Sequence, residues 1–204
     1  MLKTRIAVFV SGGGTNLQAL LDAQADGKLT AGEIALVLSS KADAYALRRA
    51  EKAGVPAVVC SRRELGDQSA FEGAIEAALA EYEIDMIVLA GFMSILSRDF
   101  TDKWPERILN VHPSLIPAFC GEGFYGLRVH QAALDRGVKV TGATVHFVNE
   151  IPDGGRILLQ KPVAVEDGDT PELLQRRVME QAEWILLPKA AQMLAETIAK
   201  EKNA

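Results

Sequence analysis

Short apolar runs alternate with longer segments of helical periodicity along most of this chain. Residues 6–10 are all apolar and include β-branched side chains, which is typical of a strand buried on both faces. Residues 16–26 follow with leucines at helical spacing, which predicts a helix with one apolar face. The same two patterns predict strands at residues 33–39, 56–59, 86–90 and 108–111, and helices at residues 44–53 and 69–81. Because strands that alternate with helices pair in parallel, we expect an α/β fold with a Rossmann-like sheet flanked by helices.

The pattern changes in the last third of the chain. Residues 140–148 alternate, residues 156–165 form another extended run, and only a turn-rich segment joins them. Two strands joined by so short a connection are expected to be antiparallel. Thr170 and Pro171 then mark the start of a long terminal helix, as N-cap and first helical residue, and its apolar positions continue to about Ile198. The expected sheet is therefore mostly parallel, with an antiparallel pair of strands towards the C-terminus.

The composition narrows the class of protein. The 204 residues contain no linker-like segment and no internal repeat, so we expect a single domain over residues 1–204. A net charge of −5 gives no electrostatic reason to expect a nucleic acid partner. No apolar run approaches the roughly 18–20 residues that span a bilayer. Residues 1–10 show no signal-peptide cleavage site, so we expect no membrane association and a cytoplasmic location. Cys60 and Cys120 are expected to be free thiols, and three histidines without metal-ligand spacing argue against a metal site.

A glycine-rich segment, SGGGTN at residues 11–16, links the first strand to the first helix. Backbone N–H groups in such a loop can point at a bound anion, and the helix N-terminus adds partial positive charge. The segment is not a dinucleotide fingerprint, because Leu17 stands in the place of the third glycine, and it is not a Walker A loop. The alternative is a tight turn capped by Thr15 or Asn16. Its place at the carboxyl end of a parallel strand slightly favours a phosphate site.

The fifth predicted strand ends in candidate catalytic residues. Asn110 and His112 point to the same side of an extended segment, so they present an amide donor and an imidazole to one place. That pair suits acyl transfer, because fixed donors stabilise negative charge on a carbonyl oxygen and imidazole carries a proton at neutral pH. Either residue alone has a purely structural interpretation. Asp153, in a Pro-Asp-Gly-Gly turn, would raise the pKa of His112 if it folds back against it, and otherwise only makes the turn. His130 and His146 are expected to be structural.

Six short motifs occur in order along the chain. They are SGGGTNLQ at residues 11–18, SKAD at 40–43, LAGFM at 89–93, NVHPSLIP at 110–117, GATVHFV at 142–148 and DGG at 153–155. Each is weak alone, but the ordered set resembles the folate-dependent glycinamide ribonucleotide formyltransferases over nearly the whole chain. The resemblance implies a formyltransferase fold, with an N-terminal phosphate-binding half over about residues 1–105 and a C-terminal catalytic and folate-binding half over about residues 106–204.

The resemblance also implies roles for individual residues. It assigns catalysis to Asn110, His112 and Asp153. The binding residues that it implies are Gly14, Thr15, Asn16 and Glu183 for the substrate phosphate and ribose, and Gln68, Met93, Ser94, Ile95, Leu96 and Asn110 for the folate. Glu183 is one residue out of the family's spacing, and Gln68 replaces a basic residue that the family often has near the folate tail. Residues 119–126 are longer than in some members, as either a substrate-covering loop with glycine hinges or a connection without a function.

The implied reaction transfers the formyl group of 10-formyltetrahydrofolate, a co-substrate, to the amine of glycinamide ribonucleotide in purine biosynthesis. The amine would attack directly and no metal would take part. Asn110 and the imidazolium of His112 would stabilise the oxyanion, while Asp153 keeps His112 charged and orients a water that relays the proton. The expected partners are therefore small molecules, and a homodimer is compatible with the sequence.

Three other functions share parts of this pattern. Methionyl-tRNA formyltransferases share the Asn-x-His-Pro core but carry an additional C-terminal domain for tRNA, for which we expect no room. Formylfolate hydrolases usually carry an additional N-terminal regulatory domain, which we also do not expect here. A nucleotide sensor on the same fold would leave the Asn110, His112 and Asp153 set without a role.

Overall fold

The computed structural model describes residues 2–203, so Met1 and Ala204, the ends of the expected domain, lie outside the described residues. A seven-stranded sheet is formed by β1 (Thr4–Val10), β2 (Gly32–Ser39), β3 (Ala57–Val59), β4 (Met86–Leu89), β5 (Ile108–His112), β6 (Val140–Phe147) and β7 (Ile157–Ala164). The helices are α1 (Thr15–Ala25), α2 (Ala46–Lys52), α3 (Arg62–Leu65), α4 (Gln68–Glu81), α5 (Arg98–Thr101), α6 (Leu127–Arg136) and α7 (Pro171–Val178), and α7 continues through a π-helical turn (Met179–Glu183) into α8 (Trp184–Lys202).

The strand order in the sheet is β3-β2-β1-β4-β5-β6-β7. The first five strands pair in parallel, whereas β6 is antiparallel to both β5 and β7, which confirms the mostly parallel sheet with an antiparallel C-terminal part. After β3 the chain returns to the other side of β1 to form β4. The carboxyl ends of β1 and β4 therefore leave a crevice between the segments that follow them, which is where α/β proteins bind ligands.

The central strand β1 is buried on both faces. Ile6 and Val8 belong to the core on the side of α1 and α8, while Phe9 packs on the other side with Phe71 and Ile75 of α4. Because neither face of β1 meets water, its sequence shows a continuous apolar run without alternation. The prediction of a strand buried on both faces is therefore confirmed for β1.

The predicted bounds of several helices and strands differ by a few residues from the bounds in the structure. The single-turn helices α3 and α5 have no sequence prediction, because one turn contains too few residues for a periodic pattern. The N–H of Leu173 donates to Thr170 Oγ1 at 3.3 Å, which confirms the predicted N-cap. The terminal helix, predicted as continuous to about Ile198, contains the π-helical turn and ends at Lys202. Within residues 2–203 no helix combines the length and the apolar character needed to cross a membrane.

Candidate active site

Gly14 ends the glycine-rich loop and stands at the N-cap of α1. Its φ of 72° lies in the left-handed region, and an added Cβ would lie 2.6 Å from a Cβ of α2, so this position requires glycine. A Cβ on Gly12 or Gly13 would meet no atom of residues 2–203 within 4 Å. The alternative of capping by Thr15 or Asn16 is wrong, because no side chain of the described residues caps the first turn of α1. Its first N–H groups are therefore available to an anion.

Hydrogen bonds on two sides connect the glycine loop to α2 and to the segment after β4. Arg49 Nε donates to the carbonyl of Gly13 at 2.8 Å and its Nη1 donates to Gln18 Oε1 at 2.9 Å, which places a permanent positive charge beside the loop. On the crevice side, the N–H of Met93 donates to Ser11 Oγ at 2.9 Å and ties the segment after β4 to the loop. Sequence reasoning missed Arg49, because no spacing rule connects α2 to the glycine loop.

Asn16 and Glu183 meet beside the loop although they are 167 positions apart in the chain. Asn16 Nδ2 donates to Glu183 Oε2 at 2.7 Å, and Asn16 Oδ1 has no partner among residues 2–203. Burial raises the pKa of Glu183 to about 7, against a lowering by the bond from Asn16. Thr15 lies nearby, with Oγ1 3.8 Å from the sulfur of Met179. Glu183 is the last residue of the π-helical turn, which contains one residue more than an α-helical turn.

Asn110, His112 and Asp153 converge at the carboxyl end of β5. Asp153 Oδ2 lies 3.3 Å from His112 Nδ1, and Asn110 Nδ2 donates to Asp153 Oδ1 at 3.5 Å. His146 stands opposite Asn110 in the β5–β6 register, with Nε2 3.1 Å from Asn110 Nδ2 and 3.5 Å from Asp153 Oδ1. The three residues that the sequence selects are therefore neighbours, and His146 joins them through the pairing of β5 with β6.

Close backbone contacts explain how Asp153 reaches this cluster. An added Cβ on Gly155 would overlap the carbonyl oxygen of Phe147, and one on Gly154 would lie 2.6 Å from Ile151 Cγ2. Asp153 itself has a φ of 56°. The two glycines thus allow the connection between β6 and β7 to fold tightly against the end of β6, which brings Asp153 to His112.

Burial has the largest effect on the protonation of His112. It lowers the pKa of His112 below its ordinary value by more than the charge of Asp153 and the carbonyl of Phe119 raise it. Asp153 raises the pKa of His112, as predicted, but the net effect of all these contributions lowers that pKa. Burial also raises the pKa of Asp153, but hydrogen bonding with His146 and with the N–H of Gly121, together with the charge of His112, brings the net pKa below its ordinary value.

Residues 119–126 lie against the cluster of Asn110, His112 and Asp153. His112 Nε2 donates to the carbonyl of Phe119 at 2.8 Å, and the N–H of Gly121 donates to Asp153 Oδ2 at 2.8 Å. Phe119 and Gly121 have φ angles of 50° and 88°. Both ring nitrogens of His112 therefore face oxygen acceptors. Only the protonated ring can donate a hydrogen bond from each nitrogen. Among residues 2–203 no group of three or more His, Cys, Asp or Glu side chains is arranged to hold a metal ion.

The segment after β4 forms the other side of the crevice. Met93 and Ile95 are 53% and 68% exposed, which is high for large apolar side chains, whereas Leu96 is buried and Ser94 is half-buried. Gln68 Nε2 donates to the carbonyl of Ile95 at 3.0 Å, so this side chain is bound to the segment. Two large apolar side chains thus remain available beside the crevice for a ligand.

The fold and this site define an α/β protein with a glycine loop after β1 and an Asn–His–Asp cluster at the carboxyl end of β5, two strands away in the same sheet. The family described as "Formyl transferase" matches residues 4–190, and the chain belongs to this family.

Named relatives and solved structures agree with this family. The chain is 42% identical over 192 residues to a phosphoribosylglycinamide formyltransferase of Haemophilus influenzae, covering 94% of this chain and 87% of the relative. It is 45% identical over 193 residues to the trifunctional purine biosynthetic protein adenosine-3 of Gallus gallus, covering 95% of this chain and 18% of that protein. The chain therefore spans less than a fifth of that multifunctional relative. A crystal structure of glycinamide ribonucleotide transformylase 1 from Symbiobacterium toebii matches with a TM-score of 0.88 and 43% identity, over 96% of this chain and 89% of that chain.

Proposed function

We propose that this chain transfers the formyl group of 10-formyltetrahydrofolate to the amine of glycinamide ribonucleotide, a step of purine biosynthesis. The main support is the convergence of Asn110, His112 and Asp153 at the carboxyl end of β5, at the same edge of the sheet as the glycine loop that follows β1. Relatives whose names specify this acceptor, or purine biosynthesis, are 42% and 45% identical to the chain over the 192 and 193 aligned residues.

The phosphate of the acceptor would bind at Gly14, Thr15 and Asn16. The uncapped N–H groups at the start of α1 suit an anion, and Arg49 adds positive charge beside the loop. The ribose would bind at Glu183, whose carboxylate can accept from sugar hydroxyl groups. The unpaired Oδ1 of Asn16 offers a second acceptor at the same place.

The folate would bind on the other side of the crevice. Met93 and Ile95 expose apolar surface that a flat ring system could cover, and Ser94 and Leu96 complete this segment. Asn110 would face both the folate and the acceptor, because it lies at the end of the strand next to β4. The residues present therefore fit a formylated folate as co-substrate.

The co-substrate supplies the formyl carbon. A bond forms between this carbon and the acceptor nitrogen, the bond from the carbon to the folate nitrogen breaks, and one proton passes from the acceptor amine to the folate nitrogen. Asn110 and His112 stabilise the negative charge on the formyl oxygen. Because burial lowers the pKa of His112, its charged form at neutral pH depends on this developing charge and on Asp153. The formyl oxygen would replace the carbonyl of Phe119 at His112 Nε2.

A spectrophotometric assay for deformylated folate, started by adding glycinamide ribonucleotide, tests this function. The wild-type chain is expected to release deformylated folate only when the amine is present. His112→Ala is expected to lower kcat on the order of 10²–10³-fold at saturating concentrations of both substrates, with an unchanged melting temperature. Near-full turnover by His112→Ala would contradict the assignment. Equal rates with and without the amine would identify a formylfolate hydrolase, and no folate binding in calorimetry would favour a nucleotide sensor.

A further inference from the structure

Glu72, on α4, is a buried carboxylate that the proposed reaction does not use. Glu72 is 8% exposed, although its carboxylate makes no ion pair within the described residues. Its Oε1 accepts from the N–H of Ser97 and from Gln68 Nε2, each at 2.6 Å, and its Oε2 accepts from Ser97 Oγ at 2.6 Å. Hydrogen bonds to a carboxylate are strong, so three of them fix these groups firmly relative to one another.

These hydrogen bonds hold the segment after β4 at two points. Ser97 directly follows residues 93–96, and it also caps α5 by accepting from the N–H of Phe100 at 3.2 Å. Gln68 donates from the same Nε2 to the carbonyl of Ile95 at 3.0 Å. The segment is therefore held at residues 95 and 97 by α4, and at Met93 by the hydrogen bond to Ser11.

Side-chain packing holds the segment at Phe92, which lies against Phe9, and at Leu96, which belongs to the core, but not at the exposed residues Met93 and Ile95. Residues 90–97 belong to no helix or strand of the described chain, and Gly91 has a φ of 77°. The side chains of Met93 and Ile95 are exposed, so packing of these two side chains contributes little order. A binding surface built on irregular backbone needs supporting hydrogen bonds to keep a single geometry before the ligand arrives.

We propose that Glu72 is a positioning residue, which acts through Ser97 and Gln68 to preorganise residues 93–97 for folate binding. This inference rests on the proposed function, since the folate is the ligand assigned to the segment. It also gives Gln68 a different role from contact with the folate tail: its amide links Glu72 to the backbone of Ile95.

Calorimetric affinity for formylfolate, together with steady-state kinetics, tests the role of Glu72. Glu72→Ala removes the acceptor for all three bonds, and we expect the Kd and KM for formylfolate to rise about tenfold because the segment must be ordered on binding. The values of kcat and of KM for glycinamide ribonucleotide are expected to stay within about twofold, since no reacting group is altered. In Glu72→Gln, the amide oxygen can still accept from Ser97 and Gln68 while its nitrogen meets Ser97 Oγ, so we expect affinity near that of the wild type.

Glu76→Ala is the matched control. Glu76 lies one turn further along α4, and its carboxylate contacts Lys103 at 2.5 Å instead of the folate segment. We expect its affinity for formylfolate to equal that of the wild type. A general loss of helix stability would instead affect Glu76→Ala and Glu72→Gln as much as Glu72→Ala.

The outcomes separate this inference from the proposed function. An unchanged Kd for formylfolate in Glu72→Ala, or a failure of Glu72→Gln to restore it, would show that Glu72 does not position the segment. If Glu72→Ala does not fold, Ser97→Ala decides the question, because it loses the bond to Oε2 but keeps the N–H bond, and its Kd should rise several-fold. Absence of formyl transfer by the wild type would contradict the proposed function alone, since calorimetry still measures the effect of Glu72 on folate affinity.

Discussion

Burial shifts the protonation of single residues at and near this site. Glu183 is buried and accepts a hydrogen bond from the amide of Asn16, and burial raises its pKa from 4.5 to about 7. Between pH 4.5 and about 7 the folded state therefore keeps a proton on Glu183 that the unfolded chain has released. The contribution of Glu183 to stability therefore falls as the pH rises from about 4.5 to about 7, and stays low above that range.

Replacement of Glu183 by glutamine should stabilise the protein and weaken substrate binding. The amide cannot ionise, so at pH 8 the free energy of unfolding should rise on the order of 3 kcal/mol, with little change at pH 5. The KM for glycinamide ribonucleotide should rise about tenfold, because a neutral amide binds ribose hydroxyl groups less strongly. Urea denaturation at both pH values and steady-state kinetics measure the two effects.

Glu180→Gln provides the control for this change, because Glu180 lies in the same π-helical turn but is exposed. It should alter neither quantity. Equal stabilisation by Glu183→Gln at pH 5 and pH 8 would show that ionisation of Glu183 does not limit stability.

His130 has the opposite dependence on pH. It is buried on α6 with no partner for either ring nitrogen among residues 2–203, and burial, together with the charge of His112, lowers its pKa from 6.5 to about 4. Stability should therefore be lost as the pH falls from about 6.5 towards 4, by about 2 kcal/mol at pH 5. We expect His130→Leu to be as stable as the wild type at pH 7.5 and to lose less stability at pH 5 in urea denaturation. An unchanged loss between these pH values would contradict this environment.

Sequence reasoning reaches some of these residues more easily than others. Asn110 and His112 are predictable together, because alternation along a strand places them on one side. Asp153 is only a conditional candidate from its turn, since no local pattern shows where a turn folds, and the family resemblance then assigns it to catalysis. Arg49 and Glu72 are not predictable, because their contacts depend on how two helices approach loops that are distant in sequence.

In the glycine loop, Gly14 is required by backbone conformation and packing, whereas Gly13 is not. Gly14 has a positive φ and would place a Cβ 2.6 Å from that of Ala46, whereas a Cβ on Gly13 meets open space within the described chain. Gly14→Ala should therefore destabilise the protein by at least about 1–3 kcal/mol. Gly13→Ala should keep the stability within about 1 kcal/mol but raise the KM for glycinamide ribonucleotide, because its methyl group would enter the space that we propose for the phosphate.

Thermal unfolding and kinetics of the two variants distinguish these effects. If Gly13→Ala binds the phosphorylated substrate as well as the wild type, the open side of the loop is not the phosphate site. The sequence predicts a glycine turn here, but it does not show which glycine is required by packing and which leaves room for a ligand.

The π-helical turn is an element that sequence periodicity misses. Apolar positions before and after it both follow helical spacing, so one extra residue is hidden in the pattern. Deletion of exposed Gln181 should convert the turn to α-helix, with a melting temperature within a few degrees of the wild type. Deletion of exposed Lys189 in α8 should rotate the rest of the helix by about 100°, move Leu194 and Ile198 out of the core and strongly lower the melting temperature. Equal destabilisation by both deletions would contradict this account of the turn.

At the scale of the whole molecule, the order of strands creates the site. The alternation of elements predicts parallel strands, and the short connection between residues 148 and 156 predicts antiparallel ones, as the structure shows. The position of β1 between β2 and β4 cannot be predicted from the sequence, because it depends on which edge of the growing sheet β4 pairs with after β3. That choice places the glycine loop opposite residues 93–96, and the pairing of β5 with β6 brings Asp153 and His146 to Asn110.

A single-turnover experiment with formyl-¹³C-labelled 10-formyltetrahydrofolate tests the joint action of these parts most directly. With enzyme and glycinamide ribonucleotide present, NMR should show the label transferred to the amine nitrogen of the acceptor, with an equal amount of deformylated folate and no free formate. The His112→Ala variant should form the same product on the order of 10²–10³-fold more slowly. Label appearing as formate at the same rate with or without the acceptor, or transferred to the acceptor equally fast in His112→Ala, would contradict the account.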